Sequence, residues 1–530
     1  MKGLFMKRRD FLHYSATAAA IAPIVIGGMP LVAGDPVTPL GIEAENDSIL
    51  VIIQLFGGND GLNTIIPCDD DGYYALRNPQ NGIGVPKKDA KRILSSNTYM
   101  HPALVNNAHK EGFMGMFDEG RLAIIQGIGY ENPNLSHFRS TDIWLSGINS
   151  SDPNIRLSDG WIGRYFADAL PNFPIEIPDH PLCIQIGAAV SLLLQSDKGD
   201  MGIALTDPQK FFELGAGLTP DEEPIADSSS YANEYNFVRT LAQQSDRYSQ
   251  VVKQAFDKGK NSIEYRGNSL SLQLKLIARL ISGGLKSRVF VCNMGGFDTH
   301  VQQQDIGNGG LHPNLLNTIA DAVSRFSDDC LAQNFHNKVI GMTVSEFGRR
   351  PYENGSRGTD HGASSVQFVW GHRVKGGVYG KNPDLQSLDE NRDLVYTYDY
   401  RKVYSEIIQT WFGGTKDSAE KVLKGRFVPL GILDSPIAGI APFNDIRQST
   451  AIYPHPNNGT FSLKCEISRF CNIEVSIYEM RGKALFTQYF SGLYPGEHTL
   501  HFNTNIQAGI YLLEISSEEY RKVMPLTIIQ

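Results

Sequence analysis

Carboxylate and imidazole side chains recur in short, glycine-flanked segments of this chain. They are Phe56-Gly57-Gly58-Asn59-Asp60-Gly61-Leu62-Asn63-Thr64, Gly295-Gly296-Phe297-Asp298-Thr299-His300, Ser345-Glu346-Phe347-Gly348-Arg349-Arg350 and Gly358-Thr359-Asp360-His361-Gly362. Residues two apart in an extended segment share a face, so Asp298 and His300 can converge on one ion. Adjacent Asp360 and His361 point apart and could serve two neighbouring ions. Three carboxylates brought to one place repel one another unless a cation neutralises them. Mixed oxygen and imidazole donors suit a divalent ion such as zinc or manganese better than a metal that prefers thiolate. The plainer alternative for any one motif is an aspartate that caps a helix and a histidine packed in a polar core.

A metal-assisted hydrolysis also needs a nucleophile and groups that hold an anion. Ser136 opens a helical stretch, Ser136 to Leu145, where the dipole and free amides favour negative charge, although serine there is also an ordinary N-cap. Thr64 competes with it because it follows Asp60 closely. Arg349 and Arg350 could clamp an anionic ester bidentately or form a surface salt bridge. His137 reads as a ligand, a general acid or a satisfied helix residue, and Asn59 and Glu346 as supporting or turn residues. No C-x-P-x-R or S-x-P-x-R element occurs, which disfavours formylglycine chemistry.

Strands and helices must carry these segments to one place. Short, apolar, β-branched runs predict strands at Ile49 to Phe56, Leu122 to Gly127, Ser287 to Asn293, Val339 to Ser345 and Ser365 to Trp370. Apolar residues three and four apart predict helices at Ser269 to Ile281 and Leu315 to Leu331. The alternation implies an α/β domain, a mostly parallel sheet with helices on both faces, whose sites lie at the carboxyl ends of strands. The segment from Gly215 to Tyr231 reads as an exposed loop or insertion. From about Ala451 short alternating runs, such as Glu474 to Tyr478 and Gly509 to Ile515, separated by turn residues predict a small β-sandwich.

Length and charge narrow the class. The chain has 530 residues and a formal net charge of -9, ample for a large core and without a general pull toward nucleic acid. Lys7-Arg8-Arg9-Asp10-Phe11-Leu12 and the alanine-rich run after it read as a signal peptide over residues 1–34, and no later run is long and apolar enough for a membrane span. The six cysteines contain no C-x-x-C pair, and Cys465 with Cys471 could bridge in an exported chain.

The motifs FGGNDGLNT, SHFRSTDIW, GGFDTH, SEFGRR and GTDHG, in this order, resemble the bacterial family catalogued as domain of unknown function 1501, from about Ile49 to Ile432. The resemblance implies an alkaline-phosphatase-like domain over residues 45–440, in a superfamily whose members use one or two metals to cleave phosphate or sulfate esters. It implies Asp60, Asp360 and His361 on one metal and Asp298 and His300 on another, with His372 or His312 as a further ligand. Ser136 would be the nucleophile and Arg349 the anion clamp. The Arg-Arg leader resembles a twin-arginine signal. Tyr453 to Phe461, Ile477 to Lys483 and Ala508 to Tyr511 resemble a type IX secretion sorting domain over 447–530. Together these imply passage through the periplasm to the cell surface or medium of a Gram-negative bacterium, with both secretion machineries as partners. The expected function is an exported metal-dependent hydrolase of phosphate or sulfate esters, acting on an anionic ester or a glycan-related small substrate. The alternative is a non-enzymatic surface protein for binding or assembly on the same fold.

Overall fold

The structure, a computed structural model, describes residues 47–434 except 94–95, 174–176, 216–244 and 307, and residues 451–529 except 468–470, 480–482, 494–495 and 517–520. The signal segment and nearly all of the expected loop at Gly215 to Tyr231 lie outside these residues, as does the side chain of Cys471 and with it the expected bridge to Cys465. Two compact units are present: one of residues up to Trp411 plus Asp417–Pro436, the other of Phe412–Lys416 with Ile437–Gln530.

The first unit is built on a nine-stranded sheet. Its strands are β1 (Ile49–Leu55), β2 (Leu122–Gly129), β3 (Cys183–Ile186), β4 (Gly202–Leu205), β5 (Val289–Met294), β6 (Val339–Ser345), β7 (Ser365–Gly371), β8 (Gly377–Tyr379) and β9 (Tyr398–Asp399). The spatial order is β8-β2-β7-β6-β1-β5-β3-β4, with β9 also on β2. Every neighbouring pair is parallel except the two made by β7, which runs against the rest. The five expected strands are all present within two residues, whereas the short β3, β4, β8 and β9 carry too few apolar residues to have signalled themselves.

Strand β1 is central and buried along its whole length, which explains its unbroken apolar run. Ile49, Val51, Ile53 and Leu55 join a core with residues of α-helices Ser269–Ser282 and Leu311–Ala332, while Leu50 and Ile52 on the other face are equally buried. Burying each such side chain contributes roughly 1.5–3 kcal/mol. The register then sets the level of the site. Leu55 pairs with Met294 on one side and Ser345 on the other, so β1, β5 and β6 end together. Because β7 is antiparallel, its first residue, Ser365, opposite Ile128 of β2, lies at that same edge. The Asp360-His361 pair therefore arrives there ahead of a strand, and the other motifs arrive behind theirs.

The second unit holds two antiparallel sheets. One pairs Ala451–Tyr453, Thr460–Ile467 and Gly496–Asn503; the other orders Ala484–Leu493, Cys471–Tyr478, Gly509–Ser516 and Arg521–Ile528. Alternate residues Ile473, Val475 and Ile477, with Leu513 and Ile515 of the neighbouring strand, share a core of their own with Phe461 and Leu463 of the other sheet.

Candidate metal centre

Beyond Met294 the chain turns through Gly295 and Gly296 and presents Asp298 at the sheet edge. Asp298 Oδ1 lies 2.7 Å from Arg349 Nη2, 3.2 Å from His300 Nε2 and 3.3 Å from His361 Nε2, and Oδ2 lies 3.6 Å from His137 Nε2. Two close backbone approaches make this possible. A Cβ on Gly57 would sit 2.1 Å from the Asp298 amide nitrogen, and one on Gly358 would sit 2.2 Å from the His300 carbonyl oxygen.

Each of the three imidazoles is anchored through its other nitrogen. His300 Nδ1 lies 3.0 Å from Asp360 Oδ1, His361 Nδ1 lies 2.9 Å from the Leu135 carbonyl, and His137 Nδ1 lies 3.1 Å from Glu346 Oε1. All three partners accept hydrogen bonds, so each Nδ1 donates and each Nε2 is turned toward Asp298. Anchoring of this kind orients histidines for a metal. His300 Nε2 and His361 Nε2 are 3.0 Å apart, a juxtaposition that a bound cation would stabilise. His137, Asp298 and His361 place one ligand atom each within 4.8 Å of the others. These two nitrogens and a carboxylate form a donor set that suits zinc or manganese, and His300 adjoins it through Asp298 and His361.

The electrostatics agree. Burial would raise the Asp298 pKa, but the hydrogen bond and charge of Arg349 outweigh it and hold the carboxyl below its ordinary value. Asp360 is held low by the Asn354 amide and by His300. Burial lowers the pKa of His361, favouring the neutral ring that a metal needs.

Three of the expected ligands, Asp298, His300 and His361, thus come together, and the other two do not join them. Asp60 is fully buried: Oδ1 accepts from the Leu62 and Asn63 amides, and Oδ2 pairs with Arg77 Nη1 at 2.6 Å and with the Gln303 amide. A side-chain cation already stands beside it. Asp360 contacts the ring of His300 from behind instead of pointing at the cluster. Of the two further histidines, His312 is buried with Nε2 3.0 Å from Asn59 Oδ1, and His372 follows β7 at the opposite edge of the sheet.

The remaining expectations divide as well. Arg349 is 1% exposed and donates to the carbonyls of Gly57, Gly58, Phe297 and Thr359 as well as to Asp298, so it ties loops together and has no face left for a substrate. Arg350 Nε stands 3.5 Å from buried Asp393. Thr64 is buried and bonded to the Asp60 carbonyl at 2.6 Å. Ser136 is exposed at the N-cap of helix His137–Ser146, yet its hydroxyl makes no capping bond. It lies between Leu135, whose carbonyl holds His361, and His137. Glu346 accepts from the Gly57 amide at 2.6 Å and from His137, a supporting role. Only the placement of His137 directly behind a strand-end loop and next to Ser136 hinted at its part in the cluster.

Residues 226–425 match the family described as protein of unknown function DUF1501, and residues 451–530 match the secretion system C-terminal sorting domain. The first match begins well after the expected Ile49. The sorting domain implies that secretion machinery handles the chain and carries it toward the cell surface. No curated protein matches the sequence. Among solved structures, a Vibrio parahaemolyticus protein of the alkaline phosphatase superfamily is 9% identical over 99% of this chain and 92% of its own, with a TM-score of 0.33. The PsFucS1 sulfatase from Pseudoalteromonas sp. is 10% identical over 85% and 83%, with a TM-score of 0.29. A Parabacteroides merdae β-glucuronidase is 16% identical over 15% of this chain, which spans only 12% of that protein, with a TM-score of 0.11 to 0.12 in two structures. The fold class follows from the sheet's own order and register. Among the described residues no helix is long and apolar enough to cross a membrane.

Proposed function

We propose that this chain is an exported metal-dependent hydrolase of phosphate or sulfate esters, with its metal held by His137, Asp298, His300 and His361. The observation that carries the reading is the convergence of three Nδ1-anchored imidazoles on one carboxylate at the edge where strands β1, β5 and β6 end. When bound, the ion supplies Lewis acidity toward an ester oxygen and toward an attacking hydroxyl.

The protein's own groups do the rest. Asp360, the Leu135 carbonyl and Glu346 hold the three rings with Nε2 turned toward Asp298. Ser136 offers an exposed hydroxyl at a helix start that no side chain caps, where first-turn amides can receive the charge of a transferred group. The serine oxygen bonds to phosphorus or sulfur as the ester bond breaks and the alcohol departs with a proton; water then releases the acid and restores the serine. Ser136→Ala should abolish ester hydrolysis while leaving metal content and stability nearly unchanged, because no capping bond is lost. Undiminished turnover would transfer the nucleophile's role to water.

Metal analysis of the purified chain with a panel of 4-nitrophenyl esters tests the whole reading. One bound ion with turnover that falls on chelation and returns with zinc or manganese supports it. A metal-loaded chain inert toward every ester would instead support the binding or assembly protein. Deleting residues 451–530 should leave turnover intact and stop delivery to the cell surface, which fractionation would show.

A further inference from the structure

Thr299 stands between Asp298 and His300, and Thr359 directly precedes Asp360 and His361. Both threonines are buried, whereas the side chains of Asp298, His300 and Asp360 are partly exposed. Each threonine is thus the inward counterpart of residues that face the cluster. Their hydroxyls converge on one atom: Gln303 Oε1 accepts from Thr299 Oγ1 at 2.9 Å and from Thr359 Oγ1 at 2.6 Å. An amide oxygen has two lone pairs, so these two donors saturate it.

Gln303 is itself fully buried. Its Nε2 donates to Asp60 Oδ2, its backbone amide donates to the Arg357 carbonyl at 2.9 Å, and its own carbonyl accepts from the His312 amide at 2.9 Å. Asp60 in turn is fixed by Arg77, which also donates to the carbonyls of Arg350 and Pro351, each at 2.8 Å. Beside this clamp the Thr359 amide donates to the Thr299 carbonyl at 3.1 Å. One side chain therefore cross-links, from beneath, the loop that carries Asp298 and His300 and the loop that carries Asp360 and His361. A satisfied buried network of this kind rigidifies what it joins.

We infer that Gln303 is a positioning residue: it holds Thr299 and Thr359 together so that Asp298, His300 and His361 keep a spacing suited to a small divalent cation such as zinc. This inference rests on the metal-dependent reading above. Selection among divalent ions depends on the size and flexibility of the ligand cage, so a fixed spacing disfavours larger ions and a loosened one admits them. A role confined to stability would not alter that selection.

The test uses the full chain stripped of metal, with zinc or the larger cadmium ion added in competition with a chelator. Thr299→Val and Thr359→Val each keep the side-chain shape and take one hydroxyl away from Gln303. In each variant zinc affinity should fall about 10-fold while cadmium affinity changes less, so that the ratio of the two drops. Thr359→Ser returns a hydroxyl and should keep the wild-type ratio. Ser324→Ala, which removes a buried hydroxyl from helix Leu311–Ala332, should leave the ratio unchanged and measures a merely structural loss. Equal losses for the two ions, or a wild-type ratio in both valine variants, would overturn the inference alone. A wild-type chain that binds neither ion would overturn it together with the metal centre. A lowered ratio in a chain whose wild type is inert toward every ester would support the inference while overturning the hydrolase reading.

Discussion

Two pairs of histidines sit at opposite edges of the same sheet in opposite states. His300 and His361, with ring centres 4.7 Å apart, have each Nδ1 tied to an acceptor and each Nε2 facing Asp298. His336 and His372, with ring centres 4.5 Å apart, lack such ties: His336 Nδ1 and His372 Nε2 are buried without a partner among the described residues. Burial, then Arg121 and His336, pushes the His372 pKa down to about 4. Similar ring spacing thus accompanies a candidate ligand set at one edge and a packed pair without those ties at the other. What separates them is the acceptor behind each ring and the carboxylate in front.

The comparison breaks most sharply at Asp298. Asp298→Ala should weaken zinc binding by more than the roughly 100-fold typical of an outer-sphere change, read by competition with a chelator. Wild-type affinity in that variant would show that the two edges do not differ as described. Arg77→Ala comes next, since it leaves the buried Asp60 carboxylate unpaired: a loss of about 3–5 kcal/mol is expected in denaturant unfolding. A loss under about 1 kcal/mol would show that Asp60 has another cation.

Smaller effects sharpen the same contrast. Asp360→Ala removes the anchor behind His300, and zinc affinity should fall by about 10–100-fold while the metal-free protein melts as before. Unchanged affinity would remove Asp360 from the site. His372→Gln should leave metal content untouched and alter only the pH profile. The folded-state pKa of His372 lies below its unfolded value, so the unfolded chain takes up the proton first and stability falls as pH drops from about 6.5 to about 4. The variant should show a shallower decline across that window, measured by urea unfolding at several pH values. A steeper decline would contradict the packed-ring assignment.

Much of the scaffold was legible because its signals are local. The strands Ile49–Leu55 and Val339–Ser345 are continuous apolar runs, and the helix Ser269–Ser282 shows its apolar period. The alternation in the tail predicted its sheets for the same reason. Asp298, His300 and His361 were legible because residue type and glycine-flanked spacing are properties of short segments.

The partners were not legible, because they depend on what lies across the sheet edge. Nothing in the neighbourhood of Asp60 announces that Arg77 will reach it, and nothing near Arg349 announces that the carbonyls of Gly57, Gly58, Phe297 and Thr359 will enclose it. The antiparallel course of β7 decided that His361 stands at the cluster and His372 at the far edge, one strand length away. By itself the sequence determined which groups could bind a metal and which elements would carry them. The tertiary structure alone decided which of those carboxylates face an open ligand set and which are neutralised by a buried guanidinium, because a charge must find its counter-charge in space and not along the chain.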